Sequence, residues 1–332
     1  MTKKRSESIV STWQRRVISR HNNIPLMHQH SLEQISFLEK FCTEKIANNT
    51  LTIQMAIPIL SELAQHGSSV FSRLDDYLDS LSHNNGLTEY RDTLRELHKT
   101  THKIGTDALK SFDKDLVKRL YHPRVPVYYG NQNNNRRLAV VFTTSYNNFY
   151  VSNMILAKII IDLGYSFLCL KDPTGLQYSR GICEISQDWL SSLEWIMSGI
   201  EEIKPSNVIF LGFSSSGYST LLAAKTIKPD TTLGFSICST MVSGGAVMRS
   251  KLITDELYDL IPSDLKLDLA SREIAFPTYI HLYYGDESLN DTRHSVRLAG
   301  KKNVKVSSIN GEGHICFRSH IAKNSFGNFF ND

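Results

Sequence analysis

One serine, one histidine and a choice of carboxylates stand where a nucleophile, its base and an orienting acid would be needed. Ser214 lies in Val208-Ile209-Phe210-Leu211-Gly212-Phe213-Ser214-Ser215-Ser216-Gly217-Tyr218, an apolar run followed by small residues. A hydroxyl on a strained strand-to-helix turn is held out for attack. Small residues flank it because the two backbones run close together, and the helix N-terminus favours developing negative charge. The usual spacing is G-x-S-x-G. Gly212 keeps its place two residues before Ser214, Ser216 stands at the second glycine position, and Gly217 follows. Taking Ser215 as the nucleophile would put Phe213 where a small residue belongs, so Ser214 is favoured. The plainer reading is a serine-rich capping turn. A phosphate loop fits less well, because neither a G-K-[ST] ending nor G-x-G-x-x-G spacing is present.

The residues that would complete this chemistry follow in the chain order serine, acid, histidine. Tyr283-Tyr284-Gly285-Asp286-Glu287-Ser288-Leu289-Asn290-Asp291 closes a strand-like run, and Val304 to Ile309 leads into Asn310-Gly311-Glu312-Gly313-His314. A glycine-flanked loop lets an imidazole reach a serine, which makes His314 the candidate base. Its rivals His281, His294 and His320 read as strand or helix residues. Asp286 sits on the strand-end loop. Asp291 opens the next helix, where the plainer role is an N-cap. Both stay open as the acid on these grounds.

Holding such groups takes a strand before each loop. Leu138–Phe142, Tyr165–Leu170, Val208–Leu211, Leu233–Cys238, Thr278–Tyr283 and Val304–Ser308 read as short buried strands. Helices are expected at Val151–Leu163, Asp188–Ile200, Gly217–Thr226, Asp291–Leu298 and after Phe317. This alternation predicts an α/β fold, a parallel doubly wound sheet with helices on both faces, over residues 138–332, with an insert at 239–275. Residues 121–137, with Pro123, Pro126, Gly130 and the polar run Asn131–Asn135, read as a linker and edge strand.

Residues 1–120 read as a helical N-terminal region. Ser31-Leu32-Glu33-Gln34 is a capping box ahead of Ile35, Leu38, Phe41, Cys42 and Ile46. A second helical stretch spans Leu51–Leu81, with breaks expected near Pro58 and Gly67. A third starts at Thr88, with more helix towards Leu116 and Leu120. His98 and His102 share a face of it, but HKTTH lacks the glutamate of a zinc helix. A solvated face is expected, and no metal.

A net charge of +4 over 332 residues is too small for phosphate tracking, so no nucleic-acid partner is expected. Lys3, Lys4, Arg5, Arg15, Arg16 and Arg20 read as a solvated basic tail. No apolar segment follows Lys3-Lys4-Arg5 to make a secretory signal. The best membrane candidate, Met154–Leu170, is interrupted by Lys158 and Asp162, so no span is expected. Five scattered cysteines without a C-x-x-C pair fit a reduced, cytoplasmic protein. No cofactor is expected.

Leu138 to Phe330 resembles the α/β-hydrolase superfamily. The resemblance rests on G-F-S-S-S-G at Gly212–Gly217, Y-Y-G at Tyr283–Gly285, D-T-R-H-S-V-R-L at Asp291–Leu298 and G-E-G-H at Gly311–His314. Within the superfamily it looks most like bacterial members associated with cell-surface glycan or secondary-metabolite genes, which carry a late G…D-x-x-H-A-x-x-L element. It implies Ser214 as nucleophile, His314 as general base and Asp291, in preference to Asp286, as the acid. It also implies an oxyanion donor in the Ser215 amide and a second at Thr143, Thr144 or Ser145, with Thr144 taken as the candidate. The implied activity is a serine hydrolase cleaving an ester or thioester, small or acyl-carrier-borne. The same triad would serve an acyltransferase. Ser216, and Ser288 at the commoner acid position, leave room for a non-catalytic binding protein. The insert is where a lid would sit, hinged at Gly244-Gly245. The N-terminal helices would cap the site, bind a protein partner or stabilise the sheet edge.

Overall fold

The computed structural model describes residues 32–81, 85–130, 136–144, 146–172, 177–237 and 261–331. Its first part comprises α1 (Leu32–Ala47), α2 (Ile53–His66), α3 (Phe71–Leu81), α4 (Asn85–Ser111) and α5 (Lys114–Tyr121). The expected capping box depends on Ser31, which lies outside the described residues. Contrary to expectation, α2 runs unbroken through Pro58. Proline removes one helix hydrogen bond, and burial of Ala56, Ile59, Leu60, Leu63 and Ala64 offsets that loss. The helix stops at Gly67, where Ser68 N returns to Leu63 O at 3.0 Å. Arg91 and Arg95 of α4 grip Asp75 of α3 at 2.6 and 2.5 Å. Asp113 caps α5 by accepting from Leu116 N at 2.7 Å.

The rest alternates as β1 (Val127–Tyr129), β2 (Arg137–Phe142), α6 (Asn153–Asp162), β3 (Tyr165–Leu170), α7 (Trp189–Ile203), β4 (Asn207–Phe213), α8 (Gly217–Ile227), β5 (Thr231–Phe235), β6 (Tyr279–Gly285), α9 (Leu289–Leu298), β7 (Val304–Ile309) and α10 (Arg318–Ala322). The described strands form one sheet in the order β1-β3-β2-β4-β5-β6-β7. All neighbours are parallel except β1, which runs antiparallel to β3. The apolar runs of β2 to β4 suit strands covered on both faces. β5 ends before the expected Cys238 because Ser236 takes a left-handed φ of 48° and leaves the strand line. Cys238 and residues 239–260 of the insert, with Gly244-Gly245, lie outside the described residues.

Side chains alternate between two cores. Ala139, Val141, Phe167, Ile209, Leu211 and Phe235 face α6 and the N-terminal helices in a single apolar cluster. Leu138, Val140, Leu168, Phe210 and Leu282 face α7, α8 and α9 in the other. The helical first part therefore covers one face of the sheet, with α4 lying against both α6 and α10. From β2 the chain crosses to β3 on one side and later to β4 on the other. This reversal lies at the C-terminal ends of β2 and β4, the general place for a site in such sheets.

Candidate active site

β4 delivers Ser214 to that end of the sheet. Ser214 opens a single 3-10 turn, Ser214–Ser216, that runs straight into α8. Its φ of 53° is left-handed, a conformation that costs a non-glycine residue about 1–3 kcal/mol and persists only where the surroundings enforce it. Tight packing under the turn provides that enforcement. A Cβ at Gly212 would lie 2.2 Å from Thr220 Oγ1. Phe213 is buried among Phe149 and Phe317 and sits edge-on to the latter at 4.9 Å.

Ser216, where a glycine is usual, is fully enclosed at 1% exposure. Its hydroxyl donates to Phe142 O at 2.6 Å and accepts from Phe213 N at 3.1 Å. Phe142 ends β2 and Phe213 ends β4, so this serine ties the turn to the neighbouring strand. From sequence Ser216 reads as a departure small enough to keep the packing, with no sign of its bond to β2. The signal available was a small hydroxyl residue at a site that must be tight and polar.

His314 lies on the loop after β7. Its Nε2 is 2.8 Å from Ser214 Oγ, and its Nδ1 is 2.8 Å from Asp291 Oδ2. An ionised carboxylate only accepts, so Nδ1 carries the proton towards Asp291 and Nε2 accepts from the serine hydroxyl. The acid side chain is 8% exposed and the imidazole 48%, so a buried carboxylate orients a reachable ring. The loop is set by close backbone packing, since a Cβ at Gly285 would fall 2.0 Å from Glu312 O. Glu312, which the sequence reading passed over, is buried in this loop and accepts from Ser319 N at 3.0 Å. A carboxylate between two glycines was the available cue.

The structure brings Ser214, His314 and Asp291 together and places Asp286 elsewhere. Asp286 accepts from Gly311 N at 2.9 Å and so pins the histidine loop rather than the imidazole. Asp291 lies within the first turn of α9 and is not its N-cap. Ser288 takes that place, accepting from Asp291 N. Thr144 is corrected as an oxyanion donor. Its amide donates to Asn148 O at 2.9 Å and its hydroxyl to Asn148 Oδ1 at 3.0 Å, so both donors are used in closing the loop after β2. The Thr143 amide bonds Leu170 O at 3.3 Å, and Ser145 lies outside the described residues. Ser215 occupies the middle of the turn beside Ser214.

The rival histidines are held elsewhere. His281 is buried between Tyr283 OH and Ser307 Oγ, at 2.7 and 2.9 Å. Burial on α9 lowers the pKa of His294. His320 is 3.3 Å from Ser325 Oγ. Burial pushes the Cys316 thiol up to about 12, so it offers no second nucleophile. His98 is half-buried, while His102 is exposed, as a solvated face would have it. They bond Ser68 O and Gly67 O, each at 2.8 Å, and so close the C-terminal end of α2. Among the described residues no group of three His, Cys, Asp or Glu side chains is placed to hold a metal ion. No described helix is long and apolar enough to cross a membrane.

The mostly parallel seven-stranded sheet, helices on both faces and a left-handed serine at the end of β4 make an α/β-hydrolase-like fold. No protein-family model and no curated protein matches the sequence. Among solved structures it is similar to an esterase domain from Rhodothermus marinus, at 13% identity and a TM-score of 0.41 over 62% of this chain and 95% of that one. MenH from S. aureus aligns at 13% identity and a TM-score of 0.42, covering 62% and 97%. An esterase from Pyrobaculum calidifontis aligns at 10% and 0.42, covering 69% and 89%. A fold of this kind hosts many activities, so function has to be argued from the site.

Proposed function

We propose that the protein is a serine hydrolase that cleaves an ester or thioester through an acyl-enzyme on Ser214. The observation that carries this reading is the continuous chain Ser214 Oγ, His314 Nε2, His314 Nδ1, Asp291 Oδ2, with both contacts at 2.8 Å. Ser214 Oγ attacks the carbonyl carbon while its proton passes to His314 Nε2. Asp291 holds the tautomer and stabilises the imidazolium that forms. The tetrahedral oxyanion collapses, and the alkoxide or thiolate leaves with the proton from His314. Water, activated by the same imidazole, then attacks the acyl-enzyme and frees Ser214.

The Ser215 amide lies beside the nucleophile at the start of the turn feeding α8, where the helix end favours negative charge. The Ser216 departure fits this reading, because its hydroxyl braces the turn rather than disturbing it. A small or carrier-borne acyl substrate is the corresponding partner. A fluorophosphonate probe should label the wild type stoichiometrically and fail to label Ser214→Ala. An unreactive, folded wild type would sink the proposal.

A further inference from the structure

A helix leaves its last carbonyls without intrahelical partners. At the end of α5 those carbonyls are taken up by three buried side chains from the α/β part of the chain. Lys171 Nζ donates to Leu120 O and His122 O, both at 2.7 Å, and lies 3.3 Å from Arg119 O. Asn153 Nδ2 donates to Leu120 O at 3.1 Å, and Asn147 Nδ2 to His122 O at 3.4 Å. None of the three side-chain donors belongs to a residue more than 2% exposed.

Their positions give the cluster its meaning. Lys171 follows the last residue of β3, and Asn153 opens α6. Asn147 lies in the loop after β2, at the catalytic edge of the sheet. Asn153 also donates to Asn147 O at 2.8 Å, and Asn147 N donates to Thr144 O at 2.8 Å. Asn147 itself holds a left-handed φ of 59°. The described shape of this loop is thus fixed from outside, by a helix that precedes the sheet in the chain. A lysine closing an otherwise apolar strand was the only sequence cue.

We propose that α5, through Lys171 and Asn153, positions the β2–α6 loop, whose Phe149 packs on Phe213 beside Ser214 at 5.6 Å between ring centres, making the N-terminal helical region a working part of the active site. This inference rests on the serine-nucleophile reading. Lys171 and Asn153 are positioning residues. A nucleophile turn displaced by a fraction of an ångström acts on the transition state and leaves ground-state binding alone.

The test is hydrolysis of p-nitrophenyl acetate by full-length Asn153→Leu and Lys171→Met, each checked for native circular dichroism at the assay temperature. Each should lower kcat about 10- to 100-fold with KM within about twofold of wild type. Lys171→Arg, which keeps a cationic donor, should recover part of the loss. Leu97→Ala, a core truncation in α4 away from this loop, should destabilise the fold and keep kcat. Folded variants with wild-type kcat, or a Leu97→Ala loss of equal size, would overturn the proposal. Should Lys171→Met not fold, Asn153→Leu decides alone, since it leaves the lysine contacts in place. Should Asn153→Leu not fold either, Asn153→Ser, with a shorter hydrogen-bonding side chain, is read by the same criterion. Hydrolysis that survives Ser214→Ala would instead defeat the nucleophile reading itself.

Discussion

At the scale of residues, the geometry separates two carboxylates that the chain order alone left level. Asp291 contacts the imidazole at 2.8 Å, whereas Asp286 holds the Gly311 amide. Removing the charge of an orienting carboxylate while keeping its shape strands the histidine in the wrong tautomer, an effect of about 10⁴-fold on kcat in a well-studied triad. Asp291→Asn should therefore abolish most ester hydrolysis, and Asp286→Asn should keep it within about tenfold because only the loop tether changes. Steady-state rates with p-nitrophenyl acetate check this, and the opposite ranking would reassign the acid. Ser214 and His314 were legible because each stands just after a strand in the required order, whereas Asp291, in the first turn of the next helix, was favoured over Asp286 only by the family resemblance. Thr144 was misread because sequence shows that a loop amide exists and not whether Asn148 already accepts from it.

At the scale of elements, strands such as Tyr165–Leu170 matched their expected bounds because buried parallel strands write themselves as apolar runs. Breaks were harder to read. Pro58 failed to stop α2 because tertiary burial outweighed one lost hydrogen bond. The join between β3 and α5 carries its own test. Burial lowers the Lys171 ammonium from 10.5 to about 8 in the folded chain. Between those values the unfolded chain holds a proton that the folded chain has released, so stability rises with pH across the window. Below it, the folded state bears the full cost of the buried charge. The bound is about 3 kcal/mol, and the three carbonyl acceptors keep the gain below it. Urea unfolding at about pH 7.5 and about pH 10 should show wild type gaining relative to Lys171→Met. A difference independent of pH would contradict a destabilised ammonium.

At the scale of the whole molecule, the sequence divided cleanly into a helical part and an alternating part, and this texture gave the fold class. It did not reveal that the two share one apolar cluster. Leu60 and Leu97 of the helical part join Ala139 and Phe167 of the sheet in it, and contacts between residues so far apart leave no local periodicity. The edge strand expected within residues 121–137 is β1, three residues between a proline and a polar run, and nothing in so short a segment told its antiparallel direction. In this arrangement the N-terminal helices back the sheet while the loops at its C-terminal edge hold the Ser214, His314 and Asp291 chain. The central claim is that this chain cleaves its substrate through a covalent intermediate on Ser214. Rapid acid quench of full-length protein mixed with p-nitrophenyl acetate, followed by peptide mapping by mass spectrometry, tests it most directly. An acetyl group on the Ser214 hydroxyl, formed within the burst and absent in His314→Ala, is the expected result. Acetylation confined to Ser215 or to surface lysines, or turnover without any adduct at Ser214, would contradict it.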